Sequence, residues 1–87
     1  GSPSTPYPIE RVIVHFPEVV ARAAHEFAPN LLVTYLTELA GTWNSFYAQE
    51  RIVGGEHEAH KLMLARAFVN TMTNGLTLLG IPAPEKM

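Results

Sequence analysis

Chemistry is first suggested in this chain by the segment His57-Glu58-Ala59-His60. Two imidazoles three positions apart at the start of a helix can reach one metal ion, with Glu56 or Glu58 nearby as an oxygen donor. The spacing is not the H-E-x-x-H of zinc peptidases. Two ligands also leave a tetrahedral shell half empty, so no stoichiometric metal is expected and a solvated helix start is the plainer reading. His15 and His25 stand singly and are read as surface or half-buried structural positions. The chain has no cysteine, which removes disulfides, thiolate nucleophiles and thiolate metal sites and fits a reducing compartment. It has no Asp either, and no Ser/His/acid grouping that would activate a nucleophile, so no catalytic constellation emerges. Gly54-Gly55 follows no strand and precedes no Lys-Ser/Thr pair, which makes it a hinge rather than a phosphate cradle.

Binding chemistry is left to the aromatic residues. Trp43, Phe46 and Tyr47 could form a stacking platform, because every nucleobase offers a π-face to an aromatic ring. Aromatics at helical spacing more often fill a core, so Trp43 and Phe46 are expected inside. Tyr47, near a helix end and carrying a polar tip, is left open between core and surface. Met63 and Met72 are read as packing residues, whereas Met87 carries the terminal carboxylate and cannot be buried casually. Formal net charge is −2, and the six Lys and Arg residues are scattered without a run. That distribution argues against broad binding to duplex nucleic acid or to a membrane surface.

These residues must be positioned by a small scaffold. Eighty-seven residues, 47% hydrophobic and 16% charged, make one small globular domain. No apolar run approaches the roughly 18–20 residues of a membrane span, and no secretory leader opens the chain, so a soluble, cytoplasmic protein is expected. Gly1-Ser2 in place of Met resembles the scar of a cleaved tag on an excised piece of a larger protein. Residues 1–8 are rich in Pro and Ser and are expected to be a flexible lead-in, with the helical domain running over 9–87.

Prolines punctuate that domain. Ile9, Val12, Ile13 and Phe16 mark a short amphipathic helix that ends before Pro17. Pro17 opens a second helix, with Glu18 in its first turn and Val19, Ala23 and Phe27 on one face. Pro29 opens a third, along which Leu32, Leu36, Leu39, Trp43, Phe46 and Tyr47 recur every three or four residues. Val53-Gly54-Gly55 breaks the chain, and Glu56 and Glu58 begin the last helix. There Leu62, Ala65, Val69, Met72, Leu76 and Leu79 keep their register straight through Asn74-Gly75, a pair that ordinarily signals a turn. A turn would break that register, so the spacing predicts a continuous helix in which Gly75 admits a close neighbour. The helix is expected to stop at Gly80, with Pro82 forbidding continuation. The fold class is therefore all-α, an antiparallel helical bundle, with a core thin enough to suggest a missing element.

In order along the chain, "FPEVV" at 16–20, "YLTELA" at 35–40, "FY" at 46–47 and the ending "NGLTLLGIPAPEKM" at 74–87 resemble the C-terminal DALR-type anticodon-binding domain of arginyl-tRNA synthetases. The resemblance covers Phe16 to Met87, and it rests on the ordered set more than on any one piece. It implies a parent enzyme of class I that charges tRNA with arginine using ATP. This domain would grip the anticodon loop of arginine tRNA, while a separate catalytic domain holds ATP and Mg. No cofactor, no membrane partner and no arginine activation are expected of this chain alone. By similarity, Tyr47 matches an aromatic that faces the anticodon bases, Arg51 continues the contact region, and Met87 matches a terminal residue that packs beside the loop. Lys86 is added for its charge and neighbourhood. Two departures stand out. The family's first long helix has no counterpart before Tyr7, which fits the thin core and implies an exposed apolar face through which the fragment could self-associate. Ala48 also stands where many members carry Asn after "FY". The alternatives are a small helical protein-interaction or scaffold module that binds no RNA and, resting on His57 and His60 alone, a metal protein.

Overall fold

The computed structural model describes residues 7–50, 55 and 57–80. Four helices follow one another, α1 (Pro8–Val14), α2 (Phe16–His25), α3 (Pro29–Gln49) and α4 (Glu58–Leu78), with no strand among the described residues. The all-α expectation holds. Each of the first three helices carries Pro in its first turn, where the missing N–H removes nothing the helix would use. The lead-in is shorter than the composition suggests, because Tyr7 and Pro8 already belong to the fold. Tyr7 donates its backbone N–H to Glu10 Oε2 at 3.0 Å, and its ring meets Phe46 edge-on with centroids 5.1 Å apart.

The core is organised around α3, which touches all three other helices. Leu32, Leu36, Leu39 and Phe46 are buried there as their spacing predicts, together with Ile9 from α1 and Leu64 from α4. Each such side chain contributes about 1.5–3 kcal/mol through removal from water. Tyr35, which the apolar stripe omits, is also buried, and its hydroxyl donates to the Val12 carbonyl. Burial, reinforced by the Glu38 carboxylate, raises its phenol from 10.0 to about 12. The raised value favours the neutral phenol in the fold. Its stabilisation is therefore complete below pH 10 and lost as pH rises through 12. An alkaline titration followed by tyrosinate absorbance and helical circular dichroism is expected to show one of the three tyrosines ionising late, together with loss of helix.

Three contacts fix the pairing of α3 with α4. Leu36 lies against Gly75, Trp43 stacks on Phe68 with centroids 4.8 Å apart, and Glu50 Oε1 meets Lys61 Nζ at 2.9 Å. Partners advance by two helical turns on α3 as they retreat by two turns on α4, the signature of an antiparallel seam. A Cβ placed on Gly75 would fall 2.6 Å from Leu36 Cδ2, well inside contact distance. This is the close approach predicted for that glycine, and α4 runs unbroken through Asn74-Gly75. It ends at Leu78, two residues before Gly80 adopts φ +80° with its N–H on the Thr77 carbonyl. Ile81 and Pro82 lie outside the described residues.

Two packing expectations are corrected. The buried face of α4 is Lys61, Leu64, Thr71 and Gly75, flanked by Phe68 and Met72. It is rotated from the expected stripe, of which Met72, Leu76 and Leu79 still pack on the core while Leu62 is exposed, as is Met63. Hydropathy gives no weight to a glycine or to the aliphatic stem of a lysine, and those two residues set the rotation. On α2, Val19 packs on the core, but Phe27 lies past the helix end with φ 53° and is 92% exposed. The Ala28 N–H bonds the Ala23 carbonyl at 2.9 Å, closing α2 so that Pro29 can open α3.

Candidate nucleic-acid interface

The aromatic stripe of α3 emerges from the core toward its C-terminal end. Phe46 points inward and is buried, Trp43 is half-buried, and Tyr47 is 65% exposed. Trp43 and Tyr47 are four residues apart, so both rings project from the same face of the helix. The Trp43 ring lies nearly parallel to Phe68 of α4, at 8°, and also meets Phe46 at 5.3 Å and Tyr47 at 6.3 Å. A ladder of rings thus runs outward from Phe68 through Trp43 to Tyr47, and its last rung is the exposed one. The ladder fixes Tyr47's place, because Trp43 is held by aromatic contacts on two helices.

The backbone beneath the ladder is pinned at the end of α3. The Glu50 N–H bonds the Phe46 carbonyl at 2.9 Å, and the Glu50 carboxylate holds Lys61, whose side chain is 5% exposed. His60 adds a second tie. It was expected on a solvated helix start, yet Nε2 lies 3.3 Å from Glu10 Oε2 and its ring stacks on Tyr7 at 6.1 Å. It therefore joins α4 to α1 and to the start of the fold. No group of three or more potential metal ligands occurs among the described residues. His15 faces Glu18 at 3.8 Å on the surface, and His25 is exposed.

Of the residues singled out for binding, Tyr47 is placed at the surface, whereas Arg51, Lys86 and Met87 lie outside the described residues. Phe68 and Lys61 were missed. Phe68 was legible as the middle of an i, i+4 series with Leu64 and Met72; Lys61 had no signal beyond its place early in α4. No described helix is long and apolar enough to cross a membrane.

The chain is an all-α bundle that exposes an aromatic at the end of its central helix. The chain belongs to the DALR anticodon-binding domain family, whose pattern matches residues 9–87. Over 87 aligned residues it is 42% identical to the arginine–tRNA ligase of Geobacter metallireducens, covering 95% of this chain and 16% of that protein. It is 42% identical to the arginine–tRNA ligase of Ignicoccus hospitalis over 86% of this chain and 12% of that protein. The relative from Halalkalibacterium halodurans, arginine–tRNA ligase 1, is 39% identical over 93% of this chain and 15% of its own length. The chain therefore spans 12–16% of the length of these curated relatives. No solved structure matches it.

Proposed function

We propose that this domain recognises the anticodon loop of arginine tRNA as the C-terminal part of an arginine–tRNA ligase. The observation that carries this reading is the exposed Tyr47 ring, held at the end of α3 by Trp43 and open for a base to stack on. Recognition of splayed loop bases relies on stacking and on base-edge hydrogen bonds, which suits a domain whose formal charge is −2. The catalytic domain of the parent binds ATP and Mg and charges the tRNA in the cytoplasm, and this chain positions the substrate. By the same reading Arg51, four residues after Tyr47 in the sequence, is a further tRNA contact.

In the full-length parent, Tyr47→Ala is expected to weaken tRNA binding by about 1–3 kcal/mol, the loss typical of one stacked base, with arginine and ATP affinities unchanged. Tyr47→Phe keeps the π-face and most of the affinity. Deleting Lys86-Met87 acts in the same direction as Tyr47→Ala. Filter binding of arginine tRNA to wild type and the three variants tests the reading. Equal binding by wild type, Tyr47→Ala and Tyr47→Phe, with a lower Tm for Tyr47→Ala, makes Tyr47 a packing residue and removes the proposal. In the isolated chain these effects shrink, because the parent's preceding helix supplies further contacts. The exposed apolar side chains Leu62 and Met63 then favour self-association, which sedimentation would detect as concentration-dependent mass.

A further inference from the structure

Trp43 has a feature that its packing does not use. Among the described residues its indole N–H has no hydrogen-bond partner, and no fully buried side-chain nitrogen or oxygen lacks one, so the N–H is not sealed in the core. The ring that carries it is held in place. One face is covered by Phe68 in parallel stacking at 4.8 Å, and Phe46 and Tyr47 meet it at 5.3 and 6.3 Å. A phenylalanine would fill most of this space and keep the aromatic contacts. What tryptophan adds is a fixed donor one helical turn from the exposed Tyr47 ring.

We infer that the Trp43 indole N–H donates a hydrogen bond to an acceptor on the edge of the single-stranded RNA base that stacks on Tyr47. This rests on the reading of Tyr47 as a base-stacking residue and deepens it, because stacking accepts any base whereas an edge contact selects. A donor-only group selects bases that present a keto oxygen or an unprotonated ring nitrogen on the edge facing it. The orientation is set before RNA arrives, so little side-chain freedom is lost in forming the bond.

The test uses the 87-residue chain and a synthetic anticodon stem-loop of arginine tRNA, together with variants of that loop changed at one base each. Trp43 is the chain's single tryptophan, so its fluorescence reports the site directly, and binding to the variants is read by anisotropy of labelled RNA. The stem-loop is expected to change Trp43 fluorescence. Trp43→Phe is expected to weaken binding about 3- to 10-fold, the worth of one hydrogen bond, and to abolish discrimination at one loop position while retaining it elsewhere. Replacing Trp43 with benzothienylalanine, which keeps bulk and stacking but has no N–H, gives the same result even if Trp43→Phe loosens the fold. Uniform weakening across all loops would make the contact one with phosphate or sugar and overturn the base-edge assignment. Wild-type binding and discrimination in the benzothienylalanine protein, with Tyr47→Ala still weakened, would overturn this inference alone. Wild-type binding by Tyr47→Ala would remove the stacking site and this inference with it, whereas equal binding of all the loop variants by the wild-type chain would overturn the edge contact alone.

Discussion

Gly75→Leu is expected to lower the unfolding free energy by about 3 kcal/mol, the upper part of the range for overpacking a filled core. Even one added carbon at this position falls 2.6 Å from Leu36 Cδ2 and 3.0 Å from Cδ1, and Leu36 is itself 6% exposed with little room to retreat. Gly75→Ala behaves differently, because two effects of similar size oppose each other. Alanine gains about 1 kcal/mol of helix propensity over glycine, while Leu36 must turn or α4 must move outward by a few tenths of an ångström. The net change is expected to stay within about 1 kcal/mol. Urea denaturation of both variants decides the matter. If Gly75→Leu unfolds at the wild-type midpoint, α3 and α4 are not in contact here and the antiparallel register is wrong. Shortening the neighbour offers a second check: Leu36→Ala combined with Gly75→Leu is expected to recover part of the loss, since the pair shares one space.

The second large effect is expected where α3 ends. Lys61 Nζ lies 2.9 Å from Glu50 Oε1, and the lysine side chain is 5% exposed while that of Glu50 is 32% exposed. Removing the carboxylate leaves a buried ammonium without that counter-charge, which costs about 3–5 kcal/mol when both groups are fully buried. The partial exposure of Glu50 reduces this, and Glu50→Ala is expected to cost about 2–3 kcal/mol. Lys61→Met removes the charge and keeps the stem that packs on the seam, so it is expected to be neutral or stabilising. In the background of Lys61→Met, Glu50→Ala then costs little. Four proteins in one double-mutant cycle, each measured by chemical denaturation, separate the charge from the stem. An equal cost for Glu50→Ala in both backgrounds would show that the ion pair contributes nothing. The outcome bears on the proposed interface, because the pair ties the end of α3, just beyond Tyr47, to α4.

Much of the architecture was legible in the residues because its causes are local. Proline at a helix start acts through its own ring and its neighbour's backbone, so the beginnings of the helices at Pro17 and Pro29 show in sequence to within one position, whereas Pro8 reads as part of the lead-in. A positive φ at Gly80 is likewise a property of one residue, and the apolar period of α3 needs nothing beyond the helix itself. The same period carried through Asn74-Gly75 was strong enough to override a turn signal. Membership of the anticodon-binding family was legible too, through short strings in a fixed order along the chain.

Tertiary structure alone decided which way each helix faces and what each exposed residue can reach. The rotation of α4 depends on Gly75 meeting Leu36 and on Lys61 finding Glu50, partners 39 and 11 residues away, and no pattern within α4 encodes either distance. Phe27 shares its spacing with Val19 and Ala23, but the chain must turn before Pro29, and closing α2 at Ala23 leaves the ring in solvent. His60 looked like a free surface imidazole until α1 brought Glu10 and Tyr7 against it. Trp43 and Tyr47 belong to one stripe by sequence, and residue type and position left Tyr47 undecided between core and surface. Phe68 covers the first and nothing described covers the second, so contact between helices turned one aromatic into support and left the other as surface.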